Sequence, residues 1–436
     1  GRIALYFTRN ETFIGNFQAF GGVAVSDGAQ SGGAGTVFVH HDHHKHRTLI
    51  IDNNHIVRQP APKSRVPTFT NIALDGGRSW ILPSSQDHSL AAINGYHFEE
   101  LQVMGGAHFA VLTDPPEAEI SVYFENMIGD RSGTFHVGPN QEMDLERLYV
   151  DLPFHVRVYP QGFMGLATVT DVHDVSFFLE GTLAHVKNLT LHHGGEMVLF
   201  SGSHTNHTLP NHYDFDYVLL EDTGVIDADT DPVTEPDMTI SSIATDIEGG
   251  GRIHGTHLTF IATNLTVQDG GVITVRHRGY ATEDGTGFEG VNGPVNPGMG
   301  IANNLGASGA GHGGTGGRGQ AAAEVGFAYG HLYEPEVIGS AGGASGSNRG
   351  GNGGGSIWLN ITDHIMLDGE LQADGEDAPY SRSGGGSGGS VWLHCDTLSG
   401  FGNITARGGN GGLDLDYAGG GGSGGVIIKE EGTNVA

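Results

Sequence analysis

One short unit recurs along this chain and limits what it can fold into. It consists of a glycine-rich lead, a strand-like run of three to five residues, a gap, a glycine, and a second short run that closes on Ala or Gly. One copy reads Gly355-Ser356-Ile357-Trp358-Leu359, then Leu367-Asp368-Gly369-Glu370-Leu371-Gln372-Ala373-Asp374-Gly375. The next reads Gly389-Ser390-Val391-Trp392-Leu393, then Gly402-Asn403-Ile404-Thr405-Ala406-Arg407-Gly408, and Gly424-Gly425-Val426-Ile427-Ile428 begins a third. Gly355, Gly389 and Gly425 stand 34 and 36 residues apart. The same unit opens the chain at Gly1-Arg2-Ile3-Ala4-Leu5 and Gly15-Asn16-Phe17-Gln18-Ala19-Phe20-Gly21. A variant lies at 101–111, 189–199 and 265–275, each copy running apolar-x-apolar, a two-residue step, Gly-Gly and a further alternating strand.

Period-two alternation sets Leu265 and Val267 on one face and Thr266 on the other. Strands this short cannot bury a core as isolated hairpins, but stacked parallel coils can, each burying its inward side chains against the next. Glycine suits the corners of such coils, where positive φ penalises a Cβ. The expectation is therefore an all-β chain, a right-handed parallel β-helix or solenoid with glycine-rich loops. The alternative is a β-sandwich in the middle region, where the glycine pattern thins. The domain reading is 1–33 as the end of a glycine-rich β-repeat, 34–250 as solenoid or sandwich, and 251–436 as glycine-rich β-helix repeats. A long loop at about 285–355 is expected to pack on the solenoid or else to be a flexible linker.

Asp and Glu number 50 against 20 Lys and Arg, a net charge of −30, which excludes a nucleic-acid partner because phosphate binding needs clustered cations. The apolar runs are far shorter than the ~20 residues of a membrane span. The first residues read as mid-domain sequence, so an excerpt or mature form is expected. A single cysteine, Cys395, excludes a disulfide scaffold and a four-cysteine zinc site; alternation puts it with Val391 and Leu393 on the inward face.

Asn-x-Thr occurs at Asn10, Asn188, Asn206, Asn264, Asn360 and Asn403, an excess over the one or two expected by chance. These triplets are N-glycan acceptors in secreted proteins, so the reading is an extracellular eukaryotic glycoprotein carrying N-linked glycans. Asn and Thr also suit turns and strand edges.

The run His40-His41-Asp42-His43-His44-Lys45-His46 could hold zinc, copper or nickel, with His41 and His43 on one strand face, or could be a surface tract. Asp227, Asp229 and Asp231 open like a calcium loop, but Pro232 stands where the turn needs Gly and Met238 where it needs Glu. A non-helical calcium site drawing also on Glu221 and Asp222 stands beside a solvated acidic loop. Gly311-His312-Gly313 matches one fragment of a polygalacturonase pattern whose other parts are missing, and no nucleophile elbow or zinc-protease helix motif occurs, so the chain is not expected to be an enzyme. Were all 25 histidines protonated, −30 would become about −5, so self-association should strengthen towards pH 5.

The stretches Gly386-Ser387-Gly388-Gly389-Ser390-Val391-Trp392-Leu393 and Gly311-His312-Gly313-Gly314-Thr315-Gly316-Gly317-Arg318-Gly319 resemble the large extracellular glycine-rich proteins of heterokont algae and related protists, including the sexually induced and mastigoneme shaft proteins. The likeness covers 1–33 and about 250–436, and the EGF-like cysteine modules usual in that family are absent. It implies a subunit of a glycosylated extracellular filament with homo-oligomeric contacts, alongside other fibre proteins and surface glycans, and carries over no catalytic residue. A chain that starts and stops within a repeat, without polar caps, also leaves edges for end-to-end contacts that do not close, which build filaments. The alternative function is a cell-surface adhesin or glycan-binding module. Trp358 and Trp392 fall at equivalent outward positions and could stack as a glycan platform or pack under the glycine excursion. A polysaccharide-acting β-helix enzyme is the minor alternative.

Overall fold

The computed structural model describes residues 2–7, 17–19, 36–41, 46–52, 78–81, 96–111, 120–145, 147–200, 211–229, 238–281, 296–320, 324–413 and 417–431. Among them there is no helix, and the strands pair mostly in parallel, while Thr36–His41 and His46–Asp52 pair antiparallel. The chain divides into two compact units, Gly1–Val198 and Leu199–Ala436.

In the first unit the strands come in threes. Thr134–Val137, Gln141–Leu145 and Tyr149–Asp151 lie in three different sheets. The next three, His155–Val158, Phe163–Gly165 and Val169–His173, pair with them in the same order. Ser176–Leu179, Thr182–Ala184 and Asn188–His192 repeat the circuit. Such pairing stacks equivalent side chains: Phe109, Phe135, Val156 and Phe177 are in register and wholly buried. Phe135 also meets Phe124 edge-on at 6.2 Å and Phe154 at 6.1 Å, so aromatic rings fill the interior of this unit. Parallel pairing of the described strands across 120–250 is the pattern of stacked coils, not of an antiparallel sandwich.

In the second unit two sheets alternate. One stacks Leu258, Ile357, Val391 and Ile427, with Phe260, Leu359 and Leu393 beside them. The other stacks Ile226, Ile253, Ile273, Leu371 and Ile404. Trp358, Trp392 and Ile428 share one register, so the repeat visible in the sequence is one rung of the sheet. Cys395 is buried beside Val391 and Leu393.

Between these strands the chain makes glycine excursions that leave the sheet of Glu370–Gln372 and Asn403–Thr405 and enter the sheet of Ser390–Cys395 and Val426–Glu431. They run out along 373–378 and back along 384–389, out along 406–412 and back along 419–425, with 298–301, 306–313, 339–344 and 350–355 packed among them. Successive N–H groups of Gly384, Gly385 and Gly386 donate to Gly343, Gly420 and Glu376; those of Ser387, Gly388 and Gly389 donate to Ser340, Ser423 and Ala373. The direction of donation recurs every third residue, the period of a polyproline-II-type extended helix. Residues 384–389 thus bond sideways to three neighbours, and every backbone N–H of this coreless stretch is satisfied. Part of the 285–355 stretch, which could have been a linker, lies within this bundle.

Glycine serves here for a reason other than corner geometry. None of residues 384–389 has a left-handed φ. A Cβ on Gly389 would stand 1.8 Å from the Gly355 carbonyl oxygen, and one on Gly384 1.9 Å from that of Ser308. The segments lie too close for side chains. The serines that interrupt the glycine runs fill gaps in the bonding: the hydroxyls of Ser308, Ser340, Ser387 and Ser423 accept from the backbone N–H of Ile301, Gly298, Ser340 and His312.

Candidate functional site

Three features of the second unit gather chemistry. The first is the tryptophan pair. Parallel in-register pairing of Ser356–Leu367 with Ser390–Cys395 puts Trp358 directly on Trp392. Their rings stack at 5.0 Å between centroids and 12° between planes, half-buried on the face opposite Ile357 and Leu359. Both indole N–H groups are buried without an acceptor among the described residues. The pair therefore contributes packing area and stacking, with its polar edge unused.

A charge ladder runs beside the sheet where the excursions leave it. Buried Asp374 accepts from the Arg407 backbone N–H at 2.7 Å and from its guanidinium Nη2 at 2.7 Å, and the Arg276 Nε lies 3.8 Å away on the other side. Burial pushes the Asp374 carboxyl up, but the hydrogen bonds and charge of Arg407 outweigh it and hold the group below its ordinary value. Glu376 is held down likewise: burial raises it, while bonds from Arg349 at 2.7 and 2.9 Å and from the Asn352 N–H lower it further. The sequence contained a signal for this ladder, since Asp374 and Arg407 occupy the same place in successive repeats.

The turns at the outer ends of the glycine segments form the third feature. Asn304, Ser345, Gly346, Asn348, Ser381 and Arg382 line an open concavity of about 290 Å³, and Asn304, Leu305 and Ala344 border a second of about 570 Å³. Around them Tyr380 is 49% exposed and Leu413 82% exposed, and Arg382 lies over the Tyr417 ring at 5.1 Å. Amide groups, a guanidinium and aromatic faces held at the ends of a rigid bundle suit polar, ring-bearing ligands such as sugars.

Of the acceptor asparagines, Asn403 is exposed and Asn188, Asn264 and Asn360 are half-buried; Asn10 and Asn206 lie outside the described residues. His41 falls in the strand Thr36–His41, whereas His43 and Asp231 lie outside the described residues. Asp227 and Asp229 share a strand, and Asp227 lies 3.7 Å from the Arg278 guanidinium, with Glu221 and Asp222 in the preceding turn. His312 is buried against the Tyr329 ring at 4.7 Å, with Nδ1 2.7 Å from the Gly388 carbonyl oxygen; burial holds its pKa below the usual imidazole value. Among the described residues, the set of metal-ligating side chains that converges is His173, His192 and His193. The sequence reading overlooked these three because His173 is separated along the chain from the adjacent His192 and His193 and meets them only through coil stacking.

No family model, curated protein or solved structure matches this chain.

Proposed function

We propose that this chain is a structural subunit of an extracellular, N-glycosylated filament, in which parallel strands wind as a right-handed β-helix and form the rod. The observation that carries the reading is the glycine bundle, whose inner segment 384–389 is bonded in three lateral directions and whose excursions begin and end in sheet strands. A body of that kind resists bending, because no segment can move without breaking bonds to several others. The acidic surface, the half-buried or exposed acceptor asparagines and the resemblance to mastigoneme-type fibre proteins support the same reading. Electron cryo-microscopy of the native material tests it. Regular filaments with glycan density on Asn188, Asn264, Asn360 or Asn403 are the expected result, and isolated particles with bare asparagines would overturn it.

A second reading, an adhesin that binds surface glycans, is favoured by the exposed Tyr380 and Leu413 around the turn concavities. Its test is a glycan panel probed with the unaltered chain and with Tyr380→Ala and Arg382→Ala. Loss of a glycan signal with an unchanged circular-dichroism spectrum supports this reading, and binding that survives both substitutions removes it.

A further inference from the structure

In the first unit the strand Val169–His173 pairs in parallel with Asn188–His192, so the corner after one lies over the corner after the other and His173 falls on His192. Their imidazoles stack at 4.6 Å and 18°. The His193 ring closes on both, 5.1 Å from each centroid. One ligand atom from each of the three lies within 4.8 Å of the others, and the Nδ1 atoms of His192 and His193 are 2.8 Å apart. The arrangement depends on backbone geometry: Asp174 at φ 55 and His193 at φ 48 both take the left-handed conformation that turns the chain there.

The hydrogen bonds around His173 fix its tautomer. The Arg131 Nη2 lies 3.0 Å from His173 Nδ1, and a guanidinium can only donate, so Nδ1 is the lone-pair nitrogen. Nε2 therefore carries the hydrogen and donates to the Asp174 carboxylate at 3.1 Å. A carboxylate holding the far N–H of an imidazole is the outer-shell arrangement that orients a metal-ligating histidine. Arg131 also has somewhere else to go. It already donates to Asp151 Oδ2 at 2.7 Å, and the buried Asp151 Oδ1 has no hydrogen-bond partner.

We propose that His173, His192 and His193 bind a zinc-type divalent transition ion, with Asp174 orienting His173 and Arg131 swinging onto Asp151 as the ion enters. Three neutral imidazoles select zinc, copper or nickel over calcium and magnesium, which prefer oxygen. Ligand nitrogens about 2.0–2.1 Å from zinc stand roughly 3.4 Å apart in a tetrahedron. The His192–His193 pair must open slightly, the hydrogen between their Nδ1 atoms moving through solvent to the Nε2 of the same ring, and the His173 ring must turn out of its stack by side-chain rotation; water completes the coordination. Nothing in this inference depends on the filament reading.

Titration of the full chain with zinc, read by calorimetry, and with cobalt(II), read by visible absorption, tests the proposal. To remove the background of the His40–His46 run, the reference protein carries His40→Gln, His41→Gln, His43→Gln, His44→Gln and His46→Gln. One zinc per chain and a tetrahedral cobalt spectrum are expected in this reference. Adding His193→Gln, at an exposed position, should weaken zinc at least tenfold, and His192→Gln should do the same. Arg131→Gln should tighten zinc severalfold by removing a cation from the site. No heat from the reference protein, or affinity unchanged by both His192→Gln and His193→Gln, would overturn the assignment; so would weaker binding in Arg131→Gln.

Discussion

Replacing Gly386 by alanine isolates the steric role of glycine in the bundle. Its N–H donates to the Glu376 carbonyl at 3.0 Å and its own carbonyl accepts from Gly409 at 2.8 Å. A Cβ there would stand 1.9 Å from the Asn352 carbonyl oxygen, where real carbon–oxygen contacts begin near 3.3 Å. The segment must therefore retreat by about 1.4 Å, beyond what these two lateral bonds tolerate. Overpacking costs about 1–3 kcal/mol and each weakened hydrogen bond about 0.5–1.5 kcal/mol, against a gain of about 0.4–1 kcal/mol from the stiffer unfolded chain. The net expectation is a loss of about 2–4 kcal/mol, a fall of roughly 5–15 °C in the melting temperature of a unit this size. Gly424→Ala is the control. Its φ is also outside the left-handed region and the nearest atom to its Cβ is the Ala406 carbonyl oxygen at 3.7 Å, so it should be neutral or stabilise by about 0.4–1 kcal/mol. Thermal melts of both variants followed by circular dichroism decide the matter. Equal destabilisation by the two would refute the close-packing argument and point to backbone flexibility as the reason for glycine.

Three further outcomes follow from the same geometry. A double-mutant cycle on Trp358→Ala and Trp392→Ala should return a coupling of about 0.5–1.5 kcal/mol in urea melts, and additive effects would mean the stacked rings do not support one another. Asp374 has a depressed folded-state pKa, so its contribution is full above the unfolded value of about 3.9 and is lost as pH falls below it; Asp374→Asn should lower stability at neutral pH and flatten the acid limb of the stability profile, and an unchanged limb would remove Asp374 from the account. Sedimentation should show stronger self-association at pH 5 than at pH 8, though the net charge will stay more negative than the simple histidine sum, because burial holds His155, His277 and His312 below their usual pKa; identical profiles would remove charge as the control of association.

Much of the fold was legible because its period was local. The alternation at Gly389-Ser390-Val391-Trp392-Leu393 identifies a strand with Val391 and Leu393 inward, and the 34-residue return from Gly355 gives the rung that sets Trp392 on Trp358. The glycine runs were harder to read. Corners and linkers require flexible backbone, and glycine supplies it; but Gly384 and Gly389 carry no special φ, and what forbids a side chain there is a carbonyl of a segment dozens of residues away. The interrupting serines gave the only local hint, since a buried hydroxyl at every few positions of a flexible linker would have nothing to satisfy.

Sites divide along the same line. Asp374 and Arg407 were readable in principle, because parallel rungs superpose equivalent repeat positions and opposite charges at such positions must meet. The histidine triad is different. His173 belongs to a coil in which the Gly-Gly corner of the later copies is absent, so no repeat alignment sets it against His192; only the register of Val169–His173 on Asn188–His192 does so. Contiguous runs such as His40–His46 attract attention in a sequence; of that run, His41 and His46 stand opposite each other in register across the antiparallel pair of Thr36–His41 with His46–Asp52. In a stacked parallel fold, side chains converge across rungs, about 20 residues apart in the three-sheet region. Ligand sets in chains of this kind should therefore be sought by joining a local pair such as His192-His193 to residues at that spacing, here His173.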